Sequence, residues 1–116
     1  MISKELLSEV LGDTTNQWNW RYFEGYKNLE CTEGTCSGRG ENTTGYMSIY
    51  EFAHKCKEWA LSKGYIVASG LNEEGRWWCD VSEVKIFPAI NGTYVQDTEM
   101  EAMTEACEWI RTNYAN

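Results

Sequence analysis

SIYEFAHKCKEWALSKGYIVASGLNEEGRWWCDVSEVKIFP, residues 48–88, decides the fold, because the hydrophobic period changes inside it. Ile49, Phe52, Ala53, Cys56, Trp59 and Ala60 recur at steps of three and four, the spacing of one helical face. Ser48 and Glu51 form an S-x-x-E capping box, in which each side chain satisfies the other residue's free N–H. The pattern predicts a helix that starts at Ser48 and stops at Gly64. Two strands are then expected, Tyr65 to Gly70 and Arg76 to Phe87, joined by the turn residues Asn72-Glu73-Glu74-Gly75. Pro88 closes the second strand, since it has no N–H to give to a ladder.

Working towards the C-terminus, Ala89 to Gln96 reads as an edge strand with Asn91-Gly92 as a tight turn. A second capping box, Thr98 and Glu101, then opens a last helix whose buried stripe is Met100, Met103, Ala106, Cys107, Ile110 and Tyr114. Towards the N-terminus, residues 31–45 hold four glycines and little to bury, which predicts a long Gly-rich loop. Before it, Trp18, Trp20 and Tyr22 alternate with Asn19, Arg21 and Phe23 as a strand would, and Tyr26 to Glu30 reads as a second short strand. The chain opens with a short helix: Ser3 is its N-cap, Leu6, Leu7, Val10 and Leu11 its apolar stripe, and Gly12 its stop. The expected fold class is α+β: a small antiparallel sheet of three to five strands, packed by two long helices and a short N-terminal one.

Composition bounds the function. The 116 residues suit one domain, 1–116, with one core. Ten basic residues against eighteen acidic ones leave a net charge of −8, which argues against direct binding of nucleic acid or anionic lipid. Six Trp, seven Tyr and three Phe are too many aromatics for a disordered acidic chain. No apolar run approaches a membrane span, and Glu5 and Glu9 do not suit a signal peptide. Five cysteines, an odd number, also point to a reducing, cytoplasmic setting, where the sequons at Asn42 and Asn91 carry no meaning.

Catalytic patterns are thin. There is no G-x-S-x-G, no Walker-type phosphate loop and no G-x-G-x-x-G after a strand. A cysteine nucleophile would have to use His54, the one histidine, and nothing in the spacing joins them. Asp80 and Glu83 are a carboxylate pair of the kind any acidic protein offers. Cys31 and Cys36, spaced C-x4-C, with Cys79 and His54 would make a mixed four-ligand zinc site; a loop disulfide or two free thiols are the plainer readings. Cys56 and Cys107 fall on helical stripes and read as small core hydrophobes. The expectation is a non-enzymatic protein without a cofactor.

Two features point to binding. Glu101, Glu105 and Glu108 share one face of the last helix at i, i+4 and i+7. The helix dipole accounts for acidic residues near the N-terminus, Asp97 to Glu101, but not for Glu105 and Glu108. A row of carboxylates imitates a phosphate row and fits a basic groove; as a plain alternative it is a solvated face. The second feature is Trp77-Trp78, whose indoles should point to opposite faces of a strand. With Trp20 or Trp18 across the sheet they would form an aromatic patch, unless helices cover both faces. Ser48, Glu51, Glu58 and Trp59 also align at an offset of 50 with Thr98, Glu101, Glu108 and Trp109, through a βα duplication or through shared helix rules.

MISKELLSEVLG (1–12), IYEFAHKCKEWA (49–60) and DTEMEA (97–102) through ACEWI (106–110) together resemble small proteins of bacteriophages, prophages and mobile elements. The likeness covers the three helices, leaves out the Trp-rich strands and the 31–45 loop, and carries no catalytic residue across. The resemblance implies an inhibitor of host defence or polymerase machinery, anti-CRISPR proteins among them, acting in the bacterial cytoplasm. The partner expected from charge is a host or phage protein with a basic surface. The rivals are a homodimer or other assembly protein built on an exposed Trp face, and a small zinc or thiol protein.

Overall fold

The structure, a computed structural model, describes residues 2–11, 20–23, 28–31 and 46–114. It is α+β, with three helices and two three-stranded antiparallel sheets among these residues. The elements run α1 (Lys4–Leu11), β1 (Trp20–Phe23), β2 (Asn28–Cys31), β3 (Tyr46–Ser48), α2 (Ile49–Ser62), β4 (Tyr65–Leu71), β5 (Trp77–Glu83), β6 (Gly92–Gln96) and α3 (Glu99–Asn113). They group into two compact units, one within Met1–Lys55 and one within Cys56–Asn116, with the boundary inside α2.

In the first unit Ser3 caps α1 as its position predicts: its Oγ accepts from the Leu6 N–H at 3.1 Å. Leu6, Leu7 and Leu11 are buried, and Val10 is half-buried. The sheet has the order β1-β2-β3, with Trp20 opposite Cys31 and Asn28 opposite Ser48. Strand β3 is an addition to the sequence reading, which assigned nothing between the 31–45 loop and the helix. Ser48 explains how so short a strand is placed. Its backbone pairs with Asn28 while its Oγ accepts from the Glu51 N–H at 3.1 Å, so one residue ends the ladder and starts α2. Gly12, Trp18 and all of the 31–45 loop beyond Cys31 lie outside the described residues.

In the second unit the predicted stripe of α2 is in place, with Cys56, Trp59 and Ala60 all buried. The helix ends as Lys63 N–H reaches the Trp59 and Ala60 carbonyls and Gly64 takes φ +90°, the left-handed conformation that a Cβ resists. The β4–β5 turn is made by Asn72, whose Oδ1 accepts from the Glu74 and Arg76 N–H groups, both at 2.9 Å.

Strand β5 is shorter than its composition predicts. It ends at Glu83, where its β4 partner begins at Tyr65, and its pairing with β6 has already begun at Val81 opposite Gly92. Beyond Glu83 the Val84 N–H still reaches the Gly64 carbonyl at 2.9 Å, but no described strand continues alongside, and Val84–Ile86 forms a 3₁₀ turn. Pro88 therefore follows the strand's end at a distance and does not cause it. Asn91-Gly92 is not a tight turn either: Gly92 is already in β6, and the Asn91 side chain accepts from the Glu83 N–H at 2.9 Å.

α3 packs on β4, β5 and β6. Its N-cap is Thr98, whose Oγ1 accepts from the Glu101 N–H at 3.2 Å and donates to Glu101 Oε1 at 2.8 Å. Met100, Met103, Ala106, Cys107 and Ile110 are buried beside Tyr65, Val67, Cys79 and Val81. Each large side chain so buried contributes roughly 1.5–3 kcal/mol. Ser69 Oγ donates to Glu99 Oε2 at 2.7 Å, fastening β4 to the first turn of α3. Among the described residues no helix is long and apolar enough to cross a membrane.

Candidate binding surfaces

The carboxylates on α3 diverge in their surroundings although the helix places them on one side. Glu101 and Glu105 are exposed, whereas Glu108 is half-buried and paired with Arg111 Nε at 2.9 Å. Glu105 accepts from the side-chain amide of Gln96 on β6, which leaves its charge unneutralised. Burial, and behind it the Glu105 charge, push the Tyr94 phenol above its ordinary value. Asp97 extends the acidic edge, and its contact with Arg76 Nε at 3.2 Å is solvent-exposed and so energetically slight.

Trp77 and Trp78 sit on opposite faces of β5, but neither is core: both are half-buried. Trp77 shares the face of Cys79 and Val81, at the turn end of the hairpin between exposed Leu71 and half-buried Gln96. Trp78 is on the other face, lying over Gly70 with Val95 on its other side. The expected patch of Trp20 with these two does not form across one sheet. Trp20 belongs to β1 in the β1-β2-β3 sheet, because β1 finds its partner in nearby β2.

Cys79 is fully buried, with its Sγ 4.0 Å from Met103 Sδ, and His54 is exposed on α2. Cys36 lies outside the described residues, among which no group of three or more His, Cys, Asp or Glu is placed to hold a metal ion. Cys56, Cys79 and Cys107 are instead free and buried. Burial, then the neighbouring charges, push the Cys79 thiol up to about 12; a hydrogen bond with Cys107, then burial, raises Cys56. Thiols held protonated in this way are poor nucleophiles.

Two surfaces escaped the sequence reading. The β5–β6 connection exposes Val84, Ile86, Phe87 and Ile90, the last two at 57% and 55%. Their β-branched and aromatic character predicts strand, but no described strand runs beside them and they stand in solvent. The second is an open cleft of about 380 Å³ lined by Lys63, Gly64, Tyr65, Glu83, Val84, Lys85 and Tyr114. Lys63 Nζ stands 4.6 Å from the centre of the Tyr114 ring, within cation–π range. No family model, no curated protein and no solved structure matches the chain.

Proposed function

We propose that this chain is a non-enzymatic binding protein of the phage or mobile-element kind, which occupies a basic surface on a host nucleic-acid-handling complex and blocks it, as anti-CRISPR proteins do. The observation that supports this reading is the pair Glu101 and Glu105, exposed on the solvent side of α3 in a chain of net charge −8. Carboxylates held at helical spacing on a packed helix present fixed negative charge to a groove built for phosphate. Glu108, paired with Arg111, contributes less. The site of action is the bacterial cytoplasm, and nucleic acid is the competitor rather than the ligand.

The test combines affinity capture from a bacterial lysate with charge reversal. A Glu101→Gln, Glu105→Lys variant keeps the cap, because Gln serves at that capping position, while changing the face by three charges. A specific basic partner should be retained by the parent chain, elute at moderate salt, and be lost from the variant. Retention of the same partner by the folded variant would refute the acidic-face reading.

Self-association is a second reading, and the exposed Val84, Ile86, Phe87 and Ile90 favour it over the Trp face. Sedimentation over a range of concentrations separates the two: a monomer throughout removes it.

A further inference from the structure

The cleft at Lys63 and Lys85 reverses the sign of the protein around it. Two ammonium groups and one carboxylate, Glu83, line it, in a chain whose net charge is −8. Its aromatic walls are held in place before any ligand arrives. Tyr65 meets Trp109 edge-to-face at 5.7 Å, and Tyr114 meets Trp59 in the same way at 6.3 Å. At Gly64 the positive φ excludes most side chains, and a Cβ there would meet nothing within 4 Å, so the main chain lies open at the cleft. Val84 adds an exposed apolar wall. The volume of about 380 Å³ falls within the range of small-molecule sites.

We propose that this cleft binds a small organic monocarboxylate with an aromatic or branched apolar body. The carboxylate sits between Lys63 and Lys85, and the apolar body lies against Tyr65, Tyr114 and Val84. Glu83 sets the charge of the ligand: with one carboxylate already present, the two lysines leave room for one negative charge, which disfavours a phosphate dianion. This site is independent of the acidic face of α3, and its failure would leave that reading untouched.

The experiment is a titration of the isotope-labelled full chain followed by amide shifts, with phenylacetate as probe and phenylacetamide and inorganic phosphate as controls. Phenylacetate should give saturable shifts confined to residues 63–65, 83–85 and 114, while the amide and phosphate should not. A Lys63→Gln, Lys85→Gln variant with an otherwise unchanged spectrum should bind about tenfold more weakly or worse. A Lys63→Arg, Lys85→Arg variant, which keeps both charges, should retain binding. Absence of saturable shifts, equal shifts with the neutral amide, or undiminished binding by the Gln variant would each overturn the proposal.

Discussion

Gly70 stands directly opposite Trp78 across the β4–β5 ladder, and the indole lies so close over it that a Cβ there would be 2.6 Å from Cζ2. The absent side chain at Gly70 is therefore what lets Trp78 lie flat along its face of the sheet. Gly70→Ala should displace the indole and cost about 1–3 kcal/mol, the range for overpacking. Urea unfolding followed by tryptophan fluorescence reads both effects, and a variant with unchanged stability and emission would contradict the packing described.

Thr98→Ala removes the group that accepts the Glu101 N–H at 3.2 Å and donates to the Glu101 carboxylate. The expected loss is about 1 kcal/mol. Thr98→Asp should recover part of it, since aspartate both caps and favours the helix dipole. Thermal melts of the three chains check the order.

Stability should fall in alkali. The Cys79 thiol has its pKa raised to about 12 from 9.0, so the folded state keeps a proton that the unfolded chain gives up sooner. Its contribution is complete below about pH 9 and is lost as pH rises towards 12, at up to about 1.4 kcal/mol per pH unit. Cys56 is shifted in the same direction. Urea midpoints between pH 7 and 12 should be flat at first and then decline, with a shallower decline in Cys79→Ala.

Phe87→Ser should leave stability within about 0.5 kcal/mol, because the ring is 57% exposed and adds little to the core. If the β5–β6 connection is a contact surface, the same change should reduce self-association or partner retention. Sedimentation and capture assays run beside a thermal melt separate the surface effect from a folding defect.

Much of the fold is legible in the sequence because its signals are local. Ser3, Ser48 and Thr98 cap helices where a short polar side chain precedes an apolar stripe, and Asn72 with Gly75 at φ +79° turns the hairpin. What the sequence conceals depends on pairing. Val84 to Phe87 have the composition of strand, yet β4 starts at Tyr65, so on that side only the Val84 N–H finds a partner, the Gly64 carbonyl. The division of the strands into two sheets has the same origin: β1 pairs with β2 and β5 with β4 and β6, and composition does not choose partners.

The candidate sites follow this division. Exposure of Glu101 and Glu105 follows from helical spacing, but the Gln96 contact that steadies Glu105 comes from β6 and is invisible in α3 alone. The Trp77-Trp78 alternation is legible; that both indoles stay half-buried depends on where the hairpin ends. The cleft is assembled from three separate segments, at 63–65, 83–85 and 114, so no single window of sequence contains it.

The fully buried thiols Cys56, Cys79 and Cys107 also serve as clocks. A maleimide cannot reach them in the closed unit, so each is labelled only as often as its own surroundings open. The three belong to α2, β5 and α3, and Cys56 and Cys107 are hydrogen-bonded to each other. Equal labelling rates, read peptide by peptide, would mean that helices and sheet come apart in a single event. A faster rate at Cys56 would mean that α2 lifts away first, leaving α3 on its sheet.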